Sequence, residues 1–280
     1  AEVVISQIPK IIGLGVYNWN SKQTLELASL LKKLAPDVIV VLGGPEISFE
    51  TEKQELFQWA DYVVCGEGDF IFRELCLRLL AGDKPVEKIL RGVLPDIATI
   101  QLPYAEYNDE DIKNRVIYVE ASRGCPYKCE YCLSSLDKSV RNFSLEKFLA
   151  EMQTLLNRGV RQFKFIDRTF NLSPSISTQI LQFFLNNIEL GLFLHFEMVP
   201  DRLPNELKDL IVQFPAGRLQ FEIGVQTLNP QVAALVSRRN DYQKMKENLR
   251  FLREKTLVHT HVDLIAGLPG EDLASFSKGF

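Results

Sequence analysis

Short apolar runs alternate with helically spaced hydrophobic positions along this chain, and together they predict strand and helix in turn. Ile11-Ile12-Gly13-Leu14-Gly15-Val16 has the length of a buried strand and ends in the polar segment Tyr17-Asn18-Trp19-Asn20. In the helix that follows, Asn20 is the expected cap with Gln23 at the reciprocal position, and Leu27, Leu30, Leu31 and Leu34 are the expected apolar face. Pro36 ends it. Val38-Ile39-Val40-Val41-Leu42 is a second strand, β-branched enough for a parallel sheet covered on both faces, and Gly43-Gly44-Pro45 breaks it. A weaker helix around Glu52 to Trp59 leads to a third strand, Tyr62 to Cys65. Gly66-Glu67-Gly68 follows, then a helix from about Phe70 to Leu80 with Gly82 at its end. Glycine-rich turns after the strands describe a doubly wound, Rossmann-like α/β domain over residues 1–82, whose ligands bind at the carboxyl ends of the strands.

Periodicity lapses over residues 83–113, where Pro85, Pro95 and Pro103 punctuate a polar stretch containing Asn108-Asp109-Glu110-Asp111, and this reads as a linker. The pattern resumes with the apolar run Val116 to Val119. A helix from Ser144 to Asn157 is capped by Ser144, with Lys147 at the third position, and Leu145, Phe148, Leu149, Met152, Leu155 and Leu156 on one face. Strands at Phe163 to Ile166, Leu194 to Met198, Leu219 to Val225 and Val258 to Ile265 then alternate with helices at Ile176 to Leu190, Asn205 to Gln213, Pro230 to Val236 and Asp241 to Glu254. Residues 114–280 therefore read as a partial (βα) barrel. Chemistry in parallel barrels sits at the carboxyl ends of the strands, so the polar residues there are the ones to examine: Asp167 after the second strand, Glu197 on the third, and Glu222 and Gln226 on the fourth. His195, His259 and His261 alternate with apolar neighbours; the last two share a face, and all three are expected as core or barrel-interior residues.

The 280 residues leave room for about two domains. A formal net charge of -4 without a long basic run does not indicate a general electrostatic affinity for nucleic acid or anionic membrane, and leaves a specific RNA substrate open. No stretch reaches the ~20 apolar residues that span a bilayer, and no basic-then-apolar leader opens the chain, so the cytoplasm is the expected location.

Cys125-Pro126-Tyr127-Lys128-Cys129-Glu130-Tyr131-Cys132 follows the run Val116 to Val119 directly, placing three thiols in a loop that leaves a strand end. Thiolates hold iron-sulfur clusters, and a cubane with three protein ligands keeps one iron open to bind a further molecule. Zinc, the competing reading, usually takes four ligands in paired arrangements. Only Cys65 and Cys76 lie upstream, and the three His lie far downstream. A disulfide would leave one of the three thiols unpaired. Cys65 and Cys76, in apolar surroundings, read as small core residues.

This motif, with Tyr131 just before its last Cys, resembles that of the radical S-adenosylmethionine (radical SAM) superfamily. The resemblance implies that Cys125, Cys129 and Cys132 are the metal ligands of a catalytic 4Fe-4S cluster. Its open iron would chelate S-adenosyl-L-methionine, and reductive cleavage would give a 5'-deoxyadenosyl radical. It further implies that Tyr131, Asp167, Glu197, Glu222, Gln226, Arg238, Asp263 and Ile265 form the S-adenosylmethionine site. Asp167 stands in place of a more usual Gly-Gly-Glu that meets the methionine amino group. Glu197 and Glu222, Gln226 and Arg238 resemble residues that contact the ribose hydroxyls and the methionine carboxylate in oxygen-independent coproporphyrinogen oxidases and tRNA methylthiotransferases. Asp263 to Ile265 belongs to a segment that lies along the adenine. Such barrels have six strands where five are visible here, so the barrel is expected to be cut short.

The first half resembles the cobalamin-binding domain that precedes many radical SAM domains, lacking its opening strands and its cobalt-ligating His. By that resemblance Asn18, Trp19, Asn20, Gly43, Gly44, Gly66, Glu67 and Gly68 would form a cobalamin edge. The expected function is that of a radical SAM enzyme, with methyl transfer from cobalamin as its reaction. The alternatives are a cobalamin-independent rearrangement or methylthiolation enzyme and a non-catalytic iron-sulfur module. The implied partner is an electron donor such as flavodoxin or ferredoxin, with no membrane.

Overall fold

A computed structural model describes residues 1–137 and 139–279. The chain divides into two compact units, Ala1–Ile100 and Gln101–Phe280.

In the first unit, β1 (Ile11–Gly15), β2 (Ile39–Gly43), β3 (Tyr62–Cys65) and β4 (Ile89–Arg91) form one parallel sheet in the order β1-β2-β3-β4. Successive residues of a strand face opposite ways, and here both faces are apolar. Ile12, Val40, Leu42 and Val63 pack with Ala28 and Leu31 of the helix Ser21–Leu34. Val41, Tyr62 and Val64 pack with Leu75 and Leu79 of the helix Asp69–Leu80. Helices on both faces are the doubly wound arrangement that the fully apolar strands predict.

Four local expectations change. The helix Ser21–Leu34 buries Thr24, Ala28 and Leu31, while Leu30 and Leu34 are exposed, because at about 100° per residue they fall on the flank of the buried stripe. The Asn20 side chain does not cap that helix: its Oδ1 accepts from the Tyr17 amide at 2.8 Å and its Nδ2 donates to the Gly15 carbonyl at 2.9 Å, bracing the loop after β1. The segment around Glu52 to Trp59 forms two 3-10 turns, Thr51–Lys53 and Glu55–Trp59, in place of a helix. Within the stretch expected as linker, β4 completes the sheet, a strand of three residues being too short to show a period. There too, Asn108 and Asp111 cap the helix Asp109–Asn114 reciprocally, with the Asn108 side chain accepting from the Asp111 amide at 2.9 Å.

In the second unit, β5 (Ile117–Val119), β8 (Gln162–Phe165), β9 (Phe193–Met198), β10 (Leu219–Gln226) and β11 (His259–Leu264) form a parallel sheet ordered β11-β10-β9-β8-β5. The short pair β6 (Ser122–Arg123) and β7 (Arg141–Asn142) is antiparallel. Helices Leu145–Asn157, Pro174–Asn186, Asn205–Ile211 and Tyr242–Lys255 follow their strands in the expected βα alternation. Ser144 caps the first, accepting from the Lys147 amide at 3.4 Å. One face of this sheet is dry: Phe163, Phe165, Leu194, Phe196, Phe221 and Ile223 are fully buried with the helices, and Phe165 stacks on Phe196 with centroids 4.2 Å apart. The alternate positions carry Lys164, His195, Glu197, Gln220, Glu222 and His261, so the other face is polar. The strand-borne part of the candidate site grows from that one period-two pattern.

Candidate active site

The thiol loop is closed at its base by β6 and β7, where Ser122 pairs with Asn142 and Arg123 with Arg141. Gly124 turns it, with a φ of +90° and no room for a Cβ against the Ser139 carbonyl. Across the loop the Cys125 amide donates to the Asp137 carbonyl at 3.1 Å, and the Cys132 amide donates to the Cys129 carbonyl at 3.1 Å. Cys125 and Cys129 are buried and Cys132 is half-buried. Burial pushes the Cys125 thiol up, so a nearby cation is what would favour its thiolate.

All three thiols line one cavity of about 470 Å³ with Tyr131, Glu197, Glu222, Gln226, Arg238 and Asp263. These residues come from separate elements that the sheet brings to one edge. Lys164, Arg168, Thr169, Tyr127, Ser134 and Ser135 line it too, although the sequence reading passed over them. Lys164 was the legible one, since it occupies the same face as His195, its register partner on β9. Among the described residues no three His, Cys, Asp or Glu side chains stand close enough to hold a single metal ion.

Two backbone features aim the polar groups. Between Gly224 and Gln226 the pairing of β10 with β11 slips, and Gln226 has a φ of +72°. Its amide lies so close to Gly224 that a Cβ there would meet Gln226 Nε2. Ser237, at φ +55°, turns the chain so that the Arg238 amide donates to the Ala233 carbonyl at 2.8 Å. The Arg238 guanidinium then donates to Asn240 Oδ1 at 3.0 Å, to the Gly224 carbonyl, and to Cys129 Sγ at 3.8 Å. Burial lowers the pKa of Arg238, but the neighbouring Tyr131 and Cys129 outweigh it, so the guanidinium stays charged.

Glu197 and Glu222 are register neighbours on β9 and β10. Burial pushes Glu197 up, against the pull of Arg168, whose Nη1 is 3.9 Å away. Glu222 is held at one oxygen: its Oε1 accepts from Gln220 Nε2 at 3.0 Å and lies 3.0 Å from His261 Nδ1. It is also 3.1 Å from the buried His195 Nε2, out of line for a hydrogen bond. Burial raises the Glu222 pKa, yet Gln220, His195 and His261 together hold it below the usual carboxylate range. Burial and the Lys164 charge lower that of His195. His259 and His261 do share a face, with ring centroids 4.5 Å apart, but both are exposed there and not core.

Asp167 lies elsewhere. It is 2 % exposed, and its carboxylate accepts from the Ala121 amide at 3.0 Å and from Ser122 Oγ at 2.6 Å. This ties the end of β8 to the root of the thiol loop, and burial pushes its carboxyl up. Ile265 packs with Val232, Val236 and Leu268, away from the cavity lining.

In the first unit, a cavity of about 650 Å³ at the carboxyl edge of the sheet is lined by Gly43, Gly44, Gly66 and Gly68 together with Gly15 and Phe72. Asn18, Trp19, Asn20 and Glu67 are not among its lining residues; Trp19 stacks on Tyr17 with centroids 4.5 Å apart. Gly44 has a φ of +106°, and a Cβ on it would lie 2.6 Å from the Val16 carbonyl oxygen, so the fold itself needs that glycine.

Residues 119–278 match the family model of the Radical SAM superfamily, and residues 1–76 match that of the B12 binding domain. The chain is 25% identical over 306 residues to the cobalamin-dependent radical SAM methyltransferase TokK of Streptomyces tokunonensis, covering 97% of this chain and 44% of that protein. It is also 25% identical, over 320 residues, to the 2-(S-pantetheinyl)-carbapenam-3-carboxylate methyltransferase of Streptantibioticus cattleyicolor, again with 97% and 44% coverage. The chain thus spans less than half the length of these relatives. Its fold is similar to the structure of the radical S-adenosylmethionine methyltransferase TsrM from Kitasatospora setae with cobalamin and a [4Fe-4S] cluster bound. The TM-score is 0.72 at 19% identity, over 95% of this chain and 58% of that one.

Proposed function

Because the chain belongs to the radical SAM superfamily, we propose that it is the cofactor-binding part of a cobalamin-dependent methyltransferase. The observation that carries this reading is the convergence of Cys125, Cys129 and Cys132 with Glu197, Gln226, Arg238 and Asp263 on one cavity. Cysteine thiolates are the ligands an iron-sulfur cluster takes, and the three thiols share a wall with an arginine that donates to one sulfur. When bound, the cluster supplies an electron and an open iron, S-adenosylmethionine the adenosyl radical, and cobalamin a transferable methyl group.

The chain's own residues then bind and orient. Arg238, half-buried and already fixed by Asn240 and Gly224, keeps donors for the methionine carboxylate. Glu197 would accept from the ribose hydroxyls, with the Gln226 amide on the same cavity, and Asp263 would lie along the adenine. Asp167 acts at one remove, fixing Ser122 and so the start of the thiol loop. Glu222, whose Oε1 is held by Gln220 and His261, lines the same cavity and keeps its Oε2 as an acceptor for the ligand. In the first unit the glycine-lined edge lets backbone approach a bulky planar ligand. Residues 1–100 contain no His, so cobalamin would receive no imidazole ligand from them. The one-electron donor is an acidic flavodoxin or ferredoxin.

Anaerobic reconstitution tests the core of this reading. One 4Fe-4S cluster per chain is expected from iron and sulfide analysis, absent when Cys125, Cys129 or Cys132 is replaced by Ala. A tetrahedral zinc signal in X-ray absorption that survives the loss of one Cys would refute it.

A further inference from the structure

We infer that the face of the second unit around Lys128, Arg202 and Arg239 is the docking surface for a small acidic one-electron carrier protein. This rests on the cluster reading above. A second cavity, of about 1040 Å³, shares Tyr127 and Arg238 with the thiol cavity, so those two side chains form the wall between them. On the thiol side, Arg238 Nη1 is 3.8 Å from Cys129 Sγ. The other side opens among Lys128, Arg202 and Arg239, all exposed.

The charges on this face are unbalanced in a particular way. Four cations, Lys128, Arg202, Arg238 and Arg239, outnumber the two carboxylates Asp201 and Asp241 in its lining, and Asp241 is further paired with Lys244 at 3.4 Å. Arg202 lies over the Tyr127 ring, 5.9 Å from its centroid. Among the described residues Lys128 and Arg239 take part in no hydrogen bond or ion pair, and neither serves the fold. A chain of net charge -4 repels an acidic protein over most of its surface. A cationic patch against the cluster wall reverses the sign where an electron must enter. The step balances simply: the reduced carrier loses one electron and the oxidised cluster gains it.

The test uses the reconstituted protein and a flavodoxin in its hydroquinone form, following loss of cluster absorbance in stopped flow and binding by calorimetry. With Lys128→Glu/Arg239→Glu, reduction by flavodoxin at low salt should slow by roughly tenfold or more, with a matching loss of binding, while dithionite reduces parent and variant alike. The parent's rate with flavodoxin should also fall as salt rises, since charges beyond about 8–10 Å are screened near physiological ionic strength. Parental rates for the variant, or a salt-independent rate for the parent, overturn the docking surface. A parent that holds no iron and sulfide after reconstitution overturns the cluster reading instead.

Discussion

Replacing Gly224 by Ala should weaken S-adenosylmethionine binding although Gly224 has no side chain to offer a ligand. An added Cβ would meet Gln226 Nε2, the far end of a side chain that can swing away, so the strand keeps its path and the amide leaves the cavity. The Arg238 bond to the Gly224 carbonyl uses backbone and survives. The loss is then that of one neutral hydrogen bond, about 0.5–1.5 kcal/mol, or roughly two- to twelvefold in Kd. Urea stability should change by no more than about 0.5 kcal/mol. Gln226→Ala should lose the same affinity, and the double variant should be no worse than either single one, since both remove one interaction. Calorimetric titration of the reconstituted proteins measures all four corners of the cycle. Additive losses, or parental affinity for Gly224→Ala beside a weakened Gln226→Ala, would show that Gln226 is not positioned in this way.

Arg238→Gln removes a charge while retaining a donor for Gly224. S-adenosylmethionine affinity should fall by about 1.5–3 kcal/mol with iron content unchanged, and equal titrations for parent and variant would remove Arg238 from the site. In the first unit, Gly68 has ordinary helical φ and ψ, and a Cβ there would touch only Val64 Cγ1, at 3.8 Å. Gly68→Leu should therefore fill the cavity without harming the fold and abolish retention of hydroxocobalamin after desalting; unchanged corrin absorbance would clear that edge of the role. His195 has its pKa lowered in the fold, facing Lys164, Glu222 and His261, so the unfolded state takes up the proton first. Its contribution is present above the unfolded pKa of about 6.5 and is lost as pH falls below it, by up to about 1.4 kcal/mol per pH unit. Urea midpoints between pH 7 and 5 should be flatter for His195→Gln than for the parent, and parallel curves would contradict the assignment.

Local pattern was enough to read the alternation of strands and helices, the apolar faces of both sheets and the thiol motif, because each depends on spacing within one short segment. The period-two alternation of β9 and β10 likewise announced a polar face bearing Glu197, Glu222 and Gln226. What those side chains do depends on neighbours across strands, and there tertiary structure decided. Register set Glu222 between Glu197 and His261 and engaged its Oε1, while burial against Ala121 and Ser122 took Asp167 out of the cavity. Asn20 was drawn from capping a helix to bracing a loop, since Gly15 and Tyr17 offered it closer partners. Gly44 reads in the sequence as room for a ligand, whereas the approach of Val16 shows that the fold requires it. Lys164 and Arg168 joined the site because parallel pairing brings the end of β8 beside β9. Propensity and periodicity act within a few residues of chain, but partners, burial and charge balance come from segments tens of residues apart, so only the folded sheet could assign them.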